Sequence, residues 1–323
     1  MTHTYKNSPI ERGVQPGSPF VPASEDPGIT GVATRDVVID RETGVAARLF
    51  LPTGAVATGR RLPLFLFFHG GGRSHLLAAE ESAFSDTYHR YATSLAARAM
   101  ALVVSVEYRV GPEHPMTAAY DDAWTALRWA ASSGDPWLLY HADRRCAFVA
   151  GDGAGGGSIA YRTAVRASRT GEDIGVKGVV LVHPHLWEPE WLHSEKAGHD
   201  GASLMPRPSV AQKRVVRQRE RRFVVSMSGS GRGGKVTLVD LHSQEHGLHL
   251  YRTVTGGSSA EKLMDSIVEV VNKEGPMLRD KNGVSSGVMD RAEDIAPTLS
   301  NRPCNKAVTT VEVLRRAVTK SCL

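Results

Sequence analysis

Two stretches of the chain are apolar without a break, Leu62–Phe68 and Val179–Val182, and a third, Ala101–Val106, is interrupted only by Ser105. A strand with one face in water alternates apolar and polar residues, so an unbroken run predicts a strand covered on both faces. Between Leu62–Phe68 and Ala101–Val106, residues 84–100 bring Tyr88, Tyr91, Leu95 and Ala99 round at helical spacing. Tyr120–Ala131 repeats the pattern, with Ala123, Leu127 and Ala130 on one stripe and Trp124 beside it. A third pair follows: a short apolar strand at Phe148–Ala150, a glycine-dense turn, then helix-forming residues from Ile159. Upstream, the β-rich runs Asp36–Asp40 and Ala46–Leu51 flank Arg41–Gly44, a hairpin signal. Downstream, Lys235–Val239 predicts a strand. Ala260–Val271 predicts an amphipathic helix with Leu263, Met264, Ile267 and Val271 inward. Alternating strands and helices predict an α/β fold, a mostly parallel sheet flanked by helices.

The pattern fades at both ends and in one internal stretch. Residues 1–19 are polar and rich in Gly and Pro, and read as a flexible arm. Residues 188–213 are polar and hold Pro189, Pro206 and Pro208; no strand is predicted there. From Lys273 to Leu323 apolar density falls, which predicts a largely disordered tail over 273–323 with one short helix at Thr310–Val318. The folded domain then spans 20–272.

Composition narrows the class. With 41% apolar and 23% charged residues, the chain reads as an ordinary soluble globular protein. Cys146, Cys304 and Cys322 are too few and scattered for a disulfide framework or a zinc site, which fits a reducing compartment. The first residues lack the apolar core of a secretory signal, and no run is long enough to span a membrane. A cytoplasmic protein is expected, with no membrane partner. The net charge of +5 is mild, and much of it lies in Lys213–Arg222. That run reads as the solvated face of a helix with Val215, Val216 and Phe223 inward. A nuclear-import or nucleic-acid patch is the alternative, and no nucleic-acid partner is expected from one short basic helix.

Two glycine-rich turns carry the chemistry. The first, His69-Gly70-Gly71-Gly72, follows a buried strand. Acyl-transfer chemistry must stabilise an oxyanion, and backbone N–H groups can do so only where no side chain blocks the approach. The second, Gly151-Asp152-Gly153-Ala154-Gly155, has the strand–turn–helix setting of a G-x-S-x-G nucleophile elbow. Its apex is Gly153, which has no side chain to attack with. A phosphate loop is the competing reading, but no Lys-Ser or Lys-Thr follows at the required spacing.

With Ser105–Pro115, which reads Ser-Val-Glu-Tyr-Arg-Val-Gly-Pro-Glu-His-Pro, these motifs resemble the hormone-sensitive-lipase-like branch of the α/β hydrolases, and most closely its plant carboxylesterases. The resemblance covers most of residues 20–272. It implies an α/β-hydrolase fold with a shortened segment after the fifth or sixth strand. It implies hydrolysis of small carboxylic esters, with a small-molecule ester or hydrophobic ligand and no cofactor or metal. The turn Glu245-His246-Gly247-Leu248-His249 matches the family's histidine turn and makes His246 the base. The family's nucleophilic serine falls on Gly153 and its triad aspartate on Arg214. The implied oxyanion donors are the N–H groups of Gly71, Gly72 and Ala154. Arg73 stands where the family has an aromatic residue, and one residue is inserted near Gly157-Ser158. With two triad members lost, the expectation is an inactive or strongly impaired esterase. A noncatalytic binder is one alternative, since the gibberellin receptors resemble the same family, though they lose the histidine and keep the serine. Residual esterase activity is the other. No substitute nucleophile is evident: Ser158 lies five residues past the apex, Asp152 is expected to aim away from it, and Cys146 precedes the strand.

Overall fold

The computed structural model describes residues 19–56, 59–70, 82–111, 113–132, 134–170, 174–184, 222–224, 236–241, 250, 258–274 and 309–315. Its centre is β3 (Leu62–Phe68), the run in which every residue is buried. β3 pairs in parallel with β4 (Leu102–Glu107) on one side and β5 (Ala142–Asp152) on the other, so Phe65 faces both Val103 and Phe148. β5 continues in parallel to β6 (Val176–Val182). β1 (Val32–Asp40) and β2 (Val45–Pro52) form the expected hairpin, closed where the Gly44 N–H donates to the Asp40 carbonyl at 3.0 Å. β2 adds antiparallel to β4.

The unbroken runs are explained by two cores. Successive β3 side chains point to opposite faces. Leu64, Leu66 and Phe68 join one apolar cluster, and Phe65 and Phe67 join the other. The first is covered by α3 (Met116–Ala131) and α5 (Gly153–Arg169), the second by α2 (Asp86–Ala99) and α6 (Ser258–Glu274). α2 starts at Ser85, whose hydroxyl accepts from the Tyr88 N–H. It stops at Met100, in the left-handed region at φ 47°. Tyr88, Tyr91, Leu95 and Ala99 are all buried, as their spacing predicts. α3 begins four residues before the predicted stripe, because Pro115 in extended backbone is the boundary that pattern alone did not mark. Two short helices, α1 (Thr53–Val56) and α4 (Pro136–His141), have no periodic signature; α4 is set by Asp135, which caps the Trp137 N–H at 2.7 Å.

The last two strands bring a correction. β7 (Val236–Leu241) stands at the sheet edge, near its predicted place. Between β6 and β7 lies β8 (Thr309–Arg315), antiparallel to both. The short helix expected at Thr310–Val318 is therefore a strand over most of that range. Val311, Leu314 and Val318 satisfy a helical spacing. Even so, Thr309-Thr310-Val311-Glu312-Val313 is dominated by β-branched residues, which lose side-chain freedom in a helix and fit a pleated sheet. The full order is β1-β2-β4-β3-β5-β6-β8-β7; β2 and β8 run one way and the other six strands the opposite way. Of the basic run, Arg222 is described and is exposed; Phe223, just after it, packs edge-on against Tyr161 at 5.3 Å, inward as expected.

Candidate active site

The strand order reverses between β3 and β5, and the carboxyl ends of those strands are where an open α/β sheet gathers its site. His69 and Gly70 continue from β3, Tyr108 follows β4, and Asp152 ends β5. Gly153, the first residue of α5, is held at φ +65°. A side chain there would be strained by about 1–3 kcal/mol, a strain that catalytic turns often store and that glycine removes. Among the described residues space does not force the glycine: an added Cβ would meet nothing nearer than the Gly70 Cα at 3.8 Å. Gly156 is different, since a Cβ there would lie 2.2 Å from the Phe68 carbonyl oxygen. Glycine at 156 lets α5 press against the end of β3, whereas glycine at 153 leaves open the place a nucleophile would fill.

The neighbours of the apex are fixed. The Asp152 carboxylate is buried and accepts from the Tyr88 hydroxyl of α2 at 2.9 Å. The His69 ring stacks on Tyr108 at 4.4 Å. Its Nδ1 lies 2.8 Å from the Gly70 carbonyl oxygen, which can only accept, so Nδ1 carries the proton. His69 Nε2 is buried and has no hydrogen-bond partner among the described residues; it lies 3.8 Å from Glu107 Oε2. The Tyr108 hydroxyl donates to the His69 carbonyl at 2.8 Å. Glu107 accepts from the Ser82 hydroxyl at 2.9 Å and the Ala83 N–H at 2.7 Å, tying the approach to α2. Arg109 grips buried Asp122 through Nε and Nη2, and that hydrogen-bonded pairing raises the guanidinium pKa further. The Glu107-Tyr108-Arg109 motif is thus a set of anchors: one for the helix entrance, one for the turn after β3, one for α3.

Of the residues singled out in the sequence, Gly153, Ala154 and Gly70 come together at the ends of β3 and β5. Gly71, Gly72, Arg73, Arg214 and His246 lie outside the described residues, as does the stretch from Trp187 to Arg214. Ser158 sits in the second turn of α5, about 7 Å along the axis from the apex. Cys146 is buried on the α2 side of the sheet, in the first half of β5. Sequence reasoning missed Tyr88 and Tyr108 as site residues. Tyr88 reads as one more member of a helical apolar stripe, and only its hydroxyl partners set it apart. Among the described residues no cluster of metal-ligating side chains forms, and no helix is long and apolar enough to cross a membrane.

Residues 65–222 match the α/β hydrolase fold family. The chain belongs to the α/β-hydrolase fold and is a relative of the plant carboxylesterases. It is 37% identical over 217 residues to a 2-hydroxyisoflavanone dehydratase of Glycyrrhiza echinata, a match covering 64% of this chain and 63% of that one. It is 37% identical over 189 residues to probable carboxylesterase 3 of Arabidopsis thaliana, covering 58% and 57%. The chain thus spans about three fifths of the length of these relatives. A hyperthermophilic esterase from Pyrobaculum calidifontis shares the fold, with a TM-score of 0.54 at 22% identity over 74% of this chain and 85% of that one.

Proposed function

We propose that this α/β-hydrolase keeps the oxyanion side of an esterase site and has lost the ability to form an acyl-enzyme. The observation that carries the reading is Gly153: glycine at the elbow apex, with positive φ and room for a Cβ among the described residues. The sequence retains the family's histidine turn at His246 and replaces its acid by Arg214. Ester hydrolysis is therefore strongly impaired. Removing the serine of a comparable triad costs about 10⁶ in kcat, with a residue of rate left by the oxyanion hole and binding. A small ester or hydrophobic molecule is the ligand class this site would take. Turnover of a short-chain p-nitrophenyl ester is expected near background; ordinary esterase rates would overturn the reading.

A second reading is favoured by one relative. A dehydratase removes water, and an elimination needs a base and oxyanion stabilisation but no covalent nucleophile. A site with His246 and no serine suits that chemistry better than hydrolysis. The same assay run with a 2-hydroxyisoflavanone decides between the two: water loss that His246→Ala abolishes supports elimination, and none supports a silent site.

A further inference from the structure

Gly70 is tied across the site by one side chain. Its N–H donates to the Tyr88 hydroxyl at 2.8 Å, and that hydroxyl donates to Asp152 Oδ2 at 2.9 Å. Three elements meet in those two bonds: the turn leaving β3, the first turn of α2 and the last residue of β5. All three residues are buried, Tyr88 at 1% exposure and Asp152 at 5%. A Cβ on Gly70 would lie 2.9 Å from the Tyr88 hydroxyl oxygen and 3.2 Å from Asp152 Oδ2, so the bridge closes only over glycine.

We propose that Tyr88 is a positioning residue that clamps the start of the glycine loop to the elbow, with Asp152 as the acceptor that orients its hydroxyl. The proposal rests on the reading of these two turns as an oxyanion site. Such a site takes N–H groups from two chain segments, and its effect depends on their separation being fixed before charge develops. The β-ladder does not fix it. Pairing of β3 with β5 ends at Phe68 opposite Gly151, and Gly70 lies two residues further on. The Tyr88 hydroxyl crosses that gap, bonding Gly70 to the residue just before the apex. It accepts from one segment and donates to the other, and the carboxylate on its far side polarises it, strengthening the bond to Gly70.

The plain alternative is a core aromatic whose hydroxyl is merely satisfied. Tyr91 supplies the comparison. It is on the same helix, is equally buried, and packs on the same Phe67 ring, at 5.3 Å against 5.9 Å for Tyr88. Burial, with the Asp152 charge beside it, pushes the Tyr91 phenol far above its ordinary range, so it too stays protonated. The bond from the Gly70 N–H goes to Tyr88.

The test is amide hydrogen exchange on the full chain, resolved by residue, for wild type, Tyr88→Phe, Tyr91→Phe and Asp152→Asn. Phenylalanine keeps the packing and removes the acceptor. Tyr88→Phe should speed exchange at Gly70 about tenfold, the worth of one such bond, while Leu64–Phe67 change far less. Asp152→Asn still offers an oxygen to the hydroxyl and should give a smaller acceleration; Tyr91→Phe should give none at Gly70. No change at Gly70 in Tyr88→Phe, or equal acceleration throughout β3, would overturn the clamp. A second arm places Tyr88→Phe in a chain carrying Gly153→Ser and Arg214→Asp, where kcat should fall about tenfold with KM nearly constant. Absence of turnover in that parent chain would count against the oxyanion reading alone, because the exchange measurement decides the clamp by itself.

Discussion

A buried arginine shows how far residue-level chemistry departs from residue-level pattern. Arg48 sits mid-strand in β2 and is 1% exposed. It is gripped by Asp36 through Nε at 2.6 Å and Nη2 at 2.8 Å, and its Nη1 lies 3.1 Å from His89 Nδ1. A guanidinium only donates, so His89 must accept, which requires that Nδ1 carry no proton. Burial first, and then the Arg48 charge, hold the His89 pKa below its ordinary 6.5, against the opposing pull of Asp86 and Asp36. A group with a depressed folded pKa leaves the unfolded chain binding more protons below 6.5. Its stabilisation is whole above that pH and is lost as pH falls through the depressed value. Chemical denaturation should thus show stability declining as pH drops below about 6.5, before the carboxylates titrate near pH 4. His89→Gln should flatten that part of the profile, and an unchanged slope would contradict the assignment. None of this was legible in the sequence, where Arg48 interrupts an apolar run without explanation. The same holds for Tyr88: helical spacing placed it in the core, but no one-dimensional pattern records that its hydroxyl meets Gly70 and Asp152.

Among the elements between Val32 and Val182, the strands and the long helices α2, α3 and α5 were legible because the sheet they build is covered on both faces, whereas the short α1 and α4 were not. Burial on both sides turns strands into unbroken apolar runs such as Leu62–Phe68, and each helix needs only one apolar stripe. β8 was not legible, because its seven residues stand alone in a polar stretch and its partners are far away in sequence. Its place between β6 and β7 has a consequence. Val313 pairs with Val180 on one side and Thr237 on the other, so proline there would remove ladder bonds inside the sheet. Val313→Pro, or truncation before Thr309, should lower the melting midpoint by about 5 °C or more, a loss of roughly 2 kcal/mol. Removal of the residues after Arg315 should leave it unchanged. A chain truncated before Thr309 that melts like the full chain would show that β8 adds nothing to the sheet.

For the whole molecule, the sheet brings Gly70, at the start of the first glycine turn, beside Gly153 of the second, a juxtaposition that the family resemblance implied. The residue absent from the apex decides what the meeting can do. Under the proposed function, serine at 153 would regain the attacking oxygen at the strain cost noted above, and the histidine proposed as its base would still lack an orienting carboxylate. In a comparable triad, loss of the acid alone costs about 10⁴ in kcat. Arg214 near the imidazole would oppose the imidazolium that must form during attack. The most direct measurement is therefore kcat/KM on one short-chain ester for wild type, Gly153→Ser, Arg214→Asp and the double variant, with covalent capture by a fluorophosphonate followed by intact mass. Background turnover and no adduct are expected for wild type and Arg214→Asp, a small gain with an adduct on residue 153 for Gly153→Ser, and a larger gain for the double variant. Wild-type turnover equal to that of the serine variants, or an adduct on the wild-type chain, would contradict it.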